Sequence, residues 1–209
     1  MFRKISKEWV EKIDSLQSAY FSAHKEVFDP PLPKGVPERL EQIVAAAGIN
    51  RGDTVLDVGT GTGILLPLIQ AYGPKTIYAN DLSDAMLESV KSRFPEVLTH
   101  QGDISRLKLP ESSINVVFIN ACYPNIMDKH AAFRNISHMA RHGARVVISH
   151  PMGRGFIEVL KDKMPFPLDD FPVDKTTAKD LFADYGFEVE SLMDEKDLYI
   201  LVLRFNDFA

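Results

Sequence analysis

Cysteine is nearly absent from this chain of 209 residues: Cys122 stands alone, so no intrachain disulfide and no cysteine-based metal site can be built, and no metal is called for. A reducing cytoplasm is the expected compartment. There is no excess of basic charge either. Lys and Arg number 24 against 29 Asp and Glu, a formal net charge of −5, which leaves no global positive field to gather nucleic acid. No run approaches the ~20 apolar residues of a membrane span, and the first residues, MFRKISKEWVEKID, are too polar for a signal peptide. Neither a nucleic-acid partner nor a membrane span is expected. With 45% hydrophobic and 25% charged residues, the composition is that of one globular domain with a substantial core.

The most informative stretch is TVLDVGTGTGIL at 54–65. Thr54, Val55, Leu56 and Val58 form an apolar, mostly β-branched run broken only by Asp57, which suits a central parallel strand buried on both faces. Gly59, Gly61 and Gly63 follow. Alternate glycines leave a turn without Cβ atoms, where a ligand can lie against main chain and the amides opening the next helix can face it. The dinucleotide pattern Gly-x-Gly-x-x-Gly is not met, because Ile64 and Leu66 stand where its last glycine would be. A phosphate loop fails as well, since no Lys-Ser or Lys-Thr follows. Asp57 beside the turn would repel phosphate and attract an amino group or a cation.

These residues resemble a family. DVGTGTG is similar to the first motif of the class I, Rossmann-like S-adenosylmethionine-dependent methyltransferases, an acid followed after two residues by Gly-x-Gly-x-Gly. The resemblance implies S-adenosyl-L-methionine as cofactor, held by Asp57, Gly59, Thr60, Gly61 and Gly63. It also implies a seven-stranded, mostly parallel α/β sheet with an antiparallel final strand and helices on both faces. Asp81 lies 18 residues beyond Gly63, at the end of the expected second strand Thr76–Asp81, where a carboxylate can accept from both ribose hydroxyls. By resemblance Leu82 adjoins that contact. Asp103 and Ile104, after the third strand, would face the adenine ring with a carboxylate and a backbone amide. Asn120 would stand beside the methyl group.

Residues 1–35 read as a helical extension or lid on a domain spanning 36–209. From Lys7 to about Val27, Trp9, Ile13, Leu16 and Tyr20 recur at helical spacing, and Asp29-Pro-Pro-Leu-Pro ends that helix. Further helices are expected over 37–47, 64–72, 84–93, 128–142 and 176–185, and strands over 97–103, 113–120, 144–150, 187–193 and 198–205. Residues 151–175, proline-rich and aromatic, form a substrate-side insertion.

The acceptor side is less marked. His150 ends the fifth strand, where open α/β sheets place their ligands, and is the first candidate for a general base. Tyr123, with a packing role equally open, and His24, on the covering helix, are the next two catalytic candidates. The expected function is methyl transfer to a small-molecule acceptor. A regulatory protein that binds the cofactor without transfer is the alternative, and a nicotinamide oxidoreductase is disfavoured by the glycine spacing.

Overall fold

A computed structural model describes Phe2 and residues 5–206. Residues 1, 3, 4 and 207–209, at the ends of the two expected segments, lie outside the described residues. In chain order the principal elements are α1 (Lys7–Ala23), α2 (Val36–Ala46), β1 (Thr54–Val58), α3 (Leu66–Gln70), β2 (Thr76–Asp81), α4 (Asp84–Arg93) and β3 (Leu98–Gln101). There follow β4 (Ile114–Asn120), α5 (Lys129–Met139), β5 (Ala140–His150), α6 (Phe156–Lys161), α7 (Lys175–Phe182), β6 (Phe187–Glu195) and β7 (Leu198–Phe205).

The seven strands form one sheet in the order β3-β2-β1-β4-β5-β7-β6. Strands β1 to β5 run parallel, and β7 enters antiparallel between β5 and β6. This is the expected seven-stranded architecture. The chain reverses direction across the sheet at β1 and β4, and the crevice beyond their C-terminal ends is where such sheets bind ligands.

Both faces are covered, which explains the unbroken apolar strands. On one side Val55, Val116, Phe118, Val147 and Val202 meet α2 through Leu40 and Ile43, and α3 through Leu66 and Ile69. On the other, Leu56, Val117, Ile148 and Leu201 meet α5 and α7 through Phe133, Ile136 and Phe182. The helix starts have ordinary chemical causes: Ser83 accepts from the Met86 amide at 3.2 Å, Asp128 from Ala131 at 2.9 Å and Asp174 from Thr177 at 2.7 Å.

Three expectations need correction. The helix expected to run to residue 142 ends at Met139, because β5 begins at Ala140, which pairs with Ile114; the register then shifts before Val116 meets Arg145. Gly143, at φ +77°, lies inside that irregular strand and does not stop a helix. The helix after the glycine turn is only Leu66–Gln70, so the turn is longer than expected. In α1 the buried residues are Val10, Ile13 and Gln17, whereas Trp9 and Leu16 are exposed. Gln17 is only 1% exposed because its Nε2 donates to the Asn125 carbonyl at 2.9 Å, so a polar residue sets the orientation of the helix.

Candidate active site

At the C-terminal ends of β1, β2 and β4 lies a cavity of about 460 Å³. Its floor is the turn after β1. The glycine amides are occupied inside the protein: Gly59 and Thr60 donate to the Asn80 carbonyl at 2.8 and 3.1 Å, Gly63 donates to Thr60 at 2.9 Å, and Gly61 donates to Asp81 Oδ2 at 2.9 Å. At the glycines themselves the floor of the cavity therefore presents acceptors. Donor-rich ligands such as ammonium groups and ribose hydroxyls suit it, and phosphate does not.

The three glycines have different tasks. A Cβ at Gly61 would meet no atom within 4 Å and the residue lines the cavity, so its bareness leaves cavity space open rather than admitting a protein neighbour. At Gly59 a Cβ would lie 2.2 Å from Cys122 Sγ. Gly63 does not line the cavity; a Cβ there would lie 2.7 Å from Leu66 Cδ1 and 3.2 Å from Phe94, so its role is helix packing, which corrects its assignment to cofactor binding.

Asp57, Gly59, Thr60, Gly61, Asp81, Leu82, Asp103, Ile104 and Asn120 all line this one cavity. Asp57 is buried and accepts from Thr60 Oγ1 at 2.7 Å; burial pushes its carboxyl up to about 7, the Thr60 hydroxyl pulling the other way and the nearby Asp81 adding to the rise. Asp81 spans two loops, with Oδ2 on the Gly61 amide and Oδ1 on the Ser83 amide at 2.8 Å. Burial raises its pKa, opposed by those amides. Asn120 accepts from Ser149 Oγ at 3.0 Å, which ties β4 to β5 at the rim.

Asp103 is more engaged than expected. Its Oδ1 accepts from the Ser105 amide at 2.5 Å, and its charge is felt by Asp14 on α1, which also lines the cavity. Burial, then the neighbouring Asp103, hold Asp14 up at about 7. Sequence reading missed Asp14, and Gln17 with it, because polar residues on a helix read as a solvated face. Only the docking of α1 across the cavity gives them a site role. That docking is polar: Ser18 Oγ donates to the Leu82 carbonyl at 3.0 Å and Ser22 Oγ meets Ser83 Oγ at 2.8 Å.

The catalytic candidates separate. Tyr123 does not line the cavity; it is 1% exposed, stacked on Phe171 at 5.5 Å and edge-on to Phe133 and Phe182, with the Lys129 ammonium 4.7 Å from its ring centroid. Packing is its role, and the catalytic assignment is corrected. His150 and His24 both line the cavity, with opposite tautomers. His150 Nδ1 accepts the Met152 amide at 3.1 Å, so a neutral ring carries its proton on Nε2 and is a donor, contrary to a general base. Burial pushes its pKa down to about 4, which keeps it neutral. His24 Nδ1 lies 2.8 Å from the Tyr20 carbonyl, which can only accept, so its proton is on Nδ1 and Nε2 holds a free lone pair.

The depressed His150 pKa has a measurable consequence. Between about 6.5 and about 4 the unfolded chain takes up the proton before the folded one, so the stability this residue contributes at neutral pH is lost as pH falls through that window, up to about 3 kcal/mol. Asp57, with its raised folded pKa, has the opposite slope between 3.8 and about 7. The wild-type curve therefore mixes both, and the expected result appears in the difference: His150→Asn should show a flatter fall in urea-unfolding free energy from pH 6.5 to 4. Parallel curves would mean that His150 titrates alike in both states.

Residues 56–148 match the methyltransferase domain family. That stretch runs from β1 to β5, and it is similar to a methyltransferase domain. Among curated proteins similar to this chain, the demethylmenaquinone methyltransferase of Mycobacterium sp. (strain KMS) is 32% identical over 121 residues, 56% of this chain and 51% of that protein. The chain thus spans about half the length of the relative it matches. Among solved structures, a chain of the Haloferax volcanii complex between the Trm112 methyltransferase activator and a methyltransferase superposes with a TM-score of 0.75 at 15% identity, covering 94% of this chain and 99% of that one. An Aquifex aeolicus SAM-dependent methyltransferase gives 0.66 at 20% identity, covering 88% and 98%. At such identities the likeness concerns the fold alone.

The cavity fits the family's cofactor on its own chemistry. Open space above Gly61 admits the nucleoside, the Asp81 carboxylate keeps lone pairs beyond its two amide bonds for ribose hydroxyls, and Asp57 suits a positively charged group.

Proposed function

We propose that this methyltransferase transfers a methyl group from S-adenosyl-L-methionine to a small-molecule acceptor held beneath α1. The observation that carries this reading is the continuity of one cavity from Asp57, Gly61 and Asp81 to Phe21 and His24 of α1 and to Phe156 and Leu160 of α6. The cofactor supplies a methyl group already activated on a sulfonium, so no electrophile has to be generated by the protein. The chain's own residues orient the reactants and exclude water, and alignment of this kind contributes on the order of 7–11 kcal/mol.

Within this reading α1 is the lid, residues 1–35 its segment, and residues 151–175 the acceptor-side wall. Asp57, Asp81 and Asp103 hold the cofactor with Gly59, Thr60, Gly61, Leu82, Ile104 and Asn120 around it. His24 Nε2 takes the acceptor's proton when the acceptor is a neutral hydroxyl or amine, and His150 Nε2–H is a fixed donor to an acceptor oxygen. His24→Ala is expected to lower kcat on the order of 10²-fold while leaving affinity for S-adenosylhomocysteine within twofold. An unchanged kcat in the variant would remove the base assignment.

The direct test is calorimetric titration with S-adenosylhomocysteine, followed by transfer of labelled methyl from S-adenosylmethionine to a panel of small phenols, amines and carboxylic acids. Binding with turnover on at least one acceptor is expected. Absence of cofactor binding would overturn the reading, and binding without turnover on any class would favour a non-catalytic protein.

A further inference from the structure

The charge of the cavity is one-sided. Among the described residues its lining contains four carboxylates, Asp14, Asp57, Asp81 and Asp103, and no Lys or Arg. Nearby cations are committed elsewhere. Lys129, itself buried, donates to Asp169 at 2.5 Å and to the Ile126 carbonyl at 2.7 Å beneath the Tyr123 ring. Arg93 pairs with Asp29 at 3.2 Å and with the Thr62 carbonyl, and Arg106 pairs with Glu11 at 3.0 Å. An anionic acceptor in this space would therefore lose its hydration with no Lys or Arg of the lining to replace it, and the lining carboxylates would repel it.

The part of the lining that comes from α1, the proline connector and residues 151–168 is mostly apolar. Phe21, Phe28, Phe156, Ile157, Leu160 and Met164 supply most of it, and its polar side chains are Asp14, Gln17, Tyr20 and His24, with His150 just before the last segment in the chain. Gln17 is spent on Asn125, and His150 offers a donor only. At the rim Val27 lines the cavity while remaining 75% exposed, so an apolar molecule meets apolar surface before it enters.

We propose that the acceptor is an uncharged, largely apolar molecule with one polar reacting group, and that molecules carrying a carboxylate or phosphate are rejected. This rests on the methyl-transfer reading above and names the substrate class of the same site. Burial of the apolar body supplies the affinity, and the single polar group meets the opposed nitrogens of His150 and His24.

The test is a matched pair of ligands titrated calorimetrically into protein saturated with S-adenosylhomocysteine at pH 7.5. The pair is 4-octylphenol and 4-octylbenzoate, which share ring and tail and differ in charge. The phenol is expected to bind at least tenfold more tightly. Leu160→Lys, which brings an ammonium to the apolar wall, is expected to narrow that ratio at least threefold. Equal or tighter binding of the benzoate to the unmodified protein, or retention of neither ligand, would overturn the proposal, and an unchanged ratio in the variant would count against the electrostatic cause. Failure of S-adenosylhomocysteine itself to bind would instead remove the methyl-transfer reading, so the two failures are distinguishable.

Discussion

Asp81→Ala is expected to lower both the stability of the protein and its affinity for S-adenosylhomocysteine, the latter about 10–100-fold. The carboxylate holds the Gly61 amide at 2.9 Å and the Ser83 amide at 2.8 Å, and so joins the turn after β1 to the loop after β2. Alanine leaves both donors without their acceptor, at about 1–3 kcal/mol each where water cannot reach them, and under the proposed cofactor binding it also removes charge-assisted bonds to the ribose worth about 1.5–3 kcal/mol. The loop that Asp81 organises also anchors the lid, since α1 docks on Leu82 and Ser83 through Ser18 and Ser22. Calorimetry and urea unfolding of the same variant separate the two losses. Asp81→Asn, with one carbonyl oxygen for two amides, should fall between wild type and alanine. Unchanged affinity in the alanine variant would take Asp81 out of the binding site.

Tyr123→Ala is expected to cost stability of roughly 3–5 kcal/mol, the range for emptying a large aromatic from a closed core. The ring is in contact with Phe133, Phe171 and Phe182, and it caps the buried ammonium of Lys129. That ammonium is itself held by Asp169, so the cavity left by alanine would disturb the clamp between the start of α5 and the insertion. Tyr123→Phe keeps the ring and should retain turnover within about twofold. A tenfold or greater loss of kcat in the phenylalanine variant, with normal unfolding, would return Tyr123 to the chemistry.

The contrast between these residues shows what a linear reading can reach. Asp81 was legible because its place follows from strand length: a short apolar strand ends, the chain turns, and the last side chain stands over the crevice. Strand β2 was expected over Thr76–Asp81 and is found there, as is α4 over Asp84–Arg93, where Ser83 supplies a local cap. Tyr123 has the same kind of address, just beyond a strand, yet its ring turns into the aromatic core. Direction at that point depends on whether α5, α7 and the insertion offer a cavity of the right shape, and those elements are distant in sequence.

The histidines make the point differently. His150 reads as a base because histidine titrates near neutrality, but the nitrogen that would do the work accepts the Met152 amide two residues on. A residue's type carries its chemical repertoire, and its partners choose one member of it. The same holds for the glycines: their spacing excluded a dinucleotide, while Gly59 and Gly61 line the cavity and Gly63 packs against Leu66, a division that only the fold shows.

By itself the sequence determined most of the strands and helices and the acids that follow the strands, because hydrophobic periodicity and turn chemistry act over a few residues, while the resemblance carried by DVGTGTG implied the parallel run of the sheet and its antiparallel ending. Only the tertiary structure decided that Gln17 and Asp14 face inward, that Tyr123 is core, and that the two histidines present opposite tautomers. Those outcomes depend on hydrogen-bond partners and neighbouring surfaces that the fold brings together from afar, and such pairings leave no period in the chain.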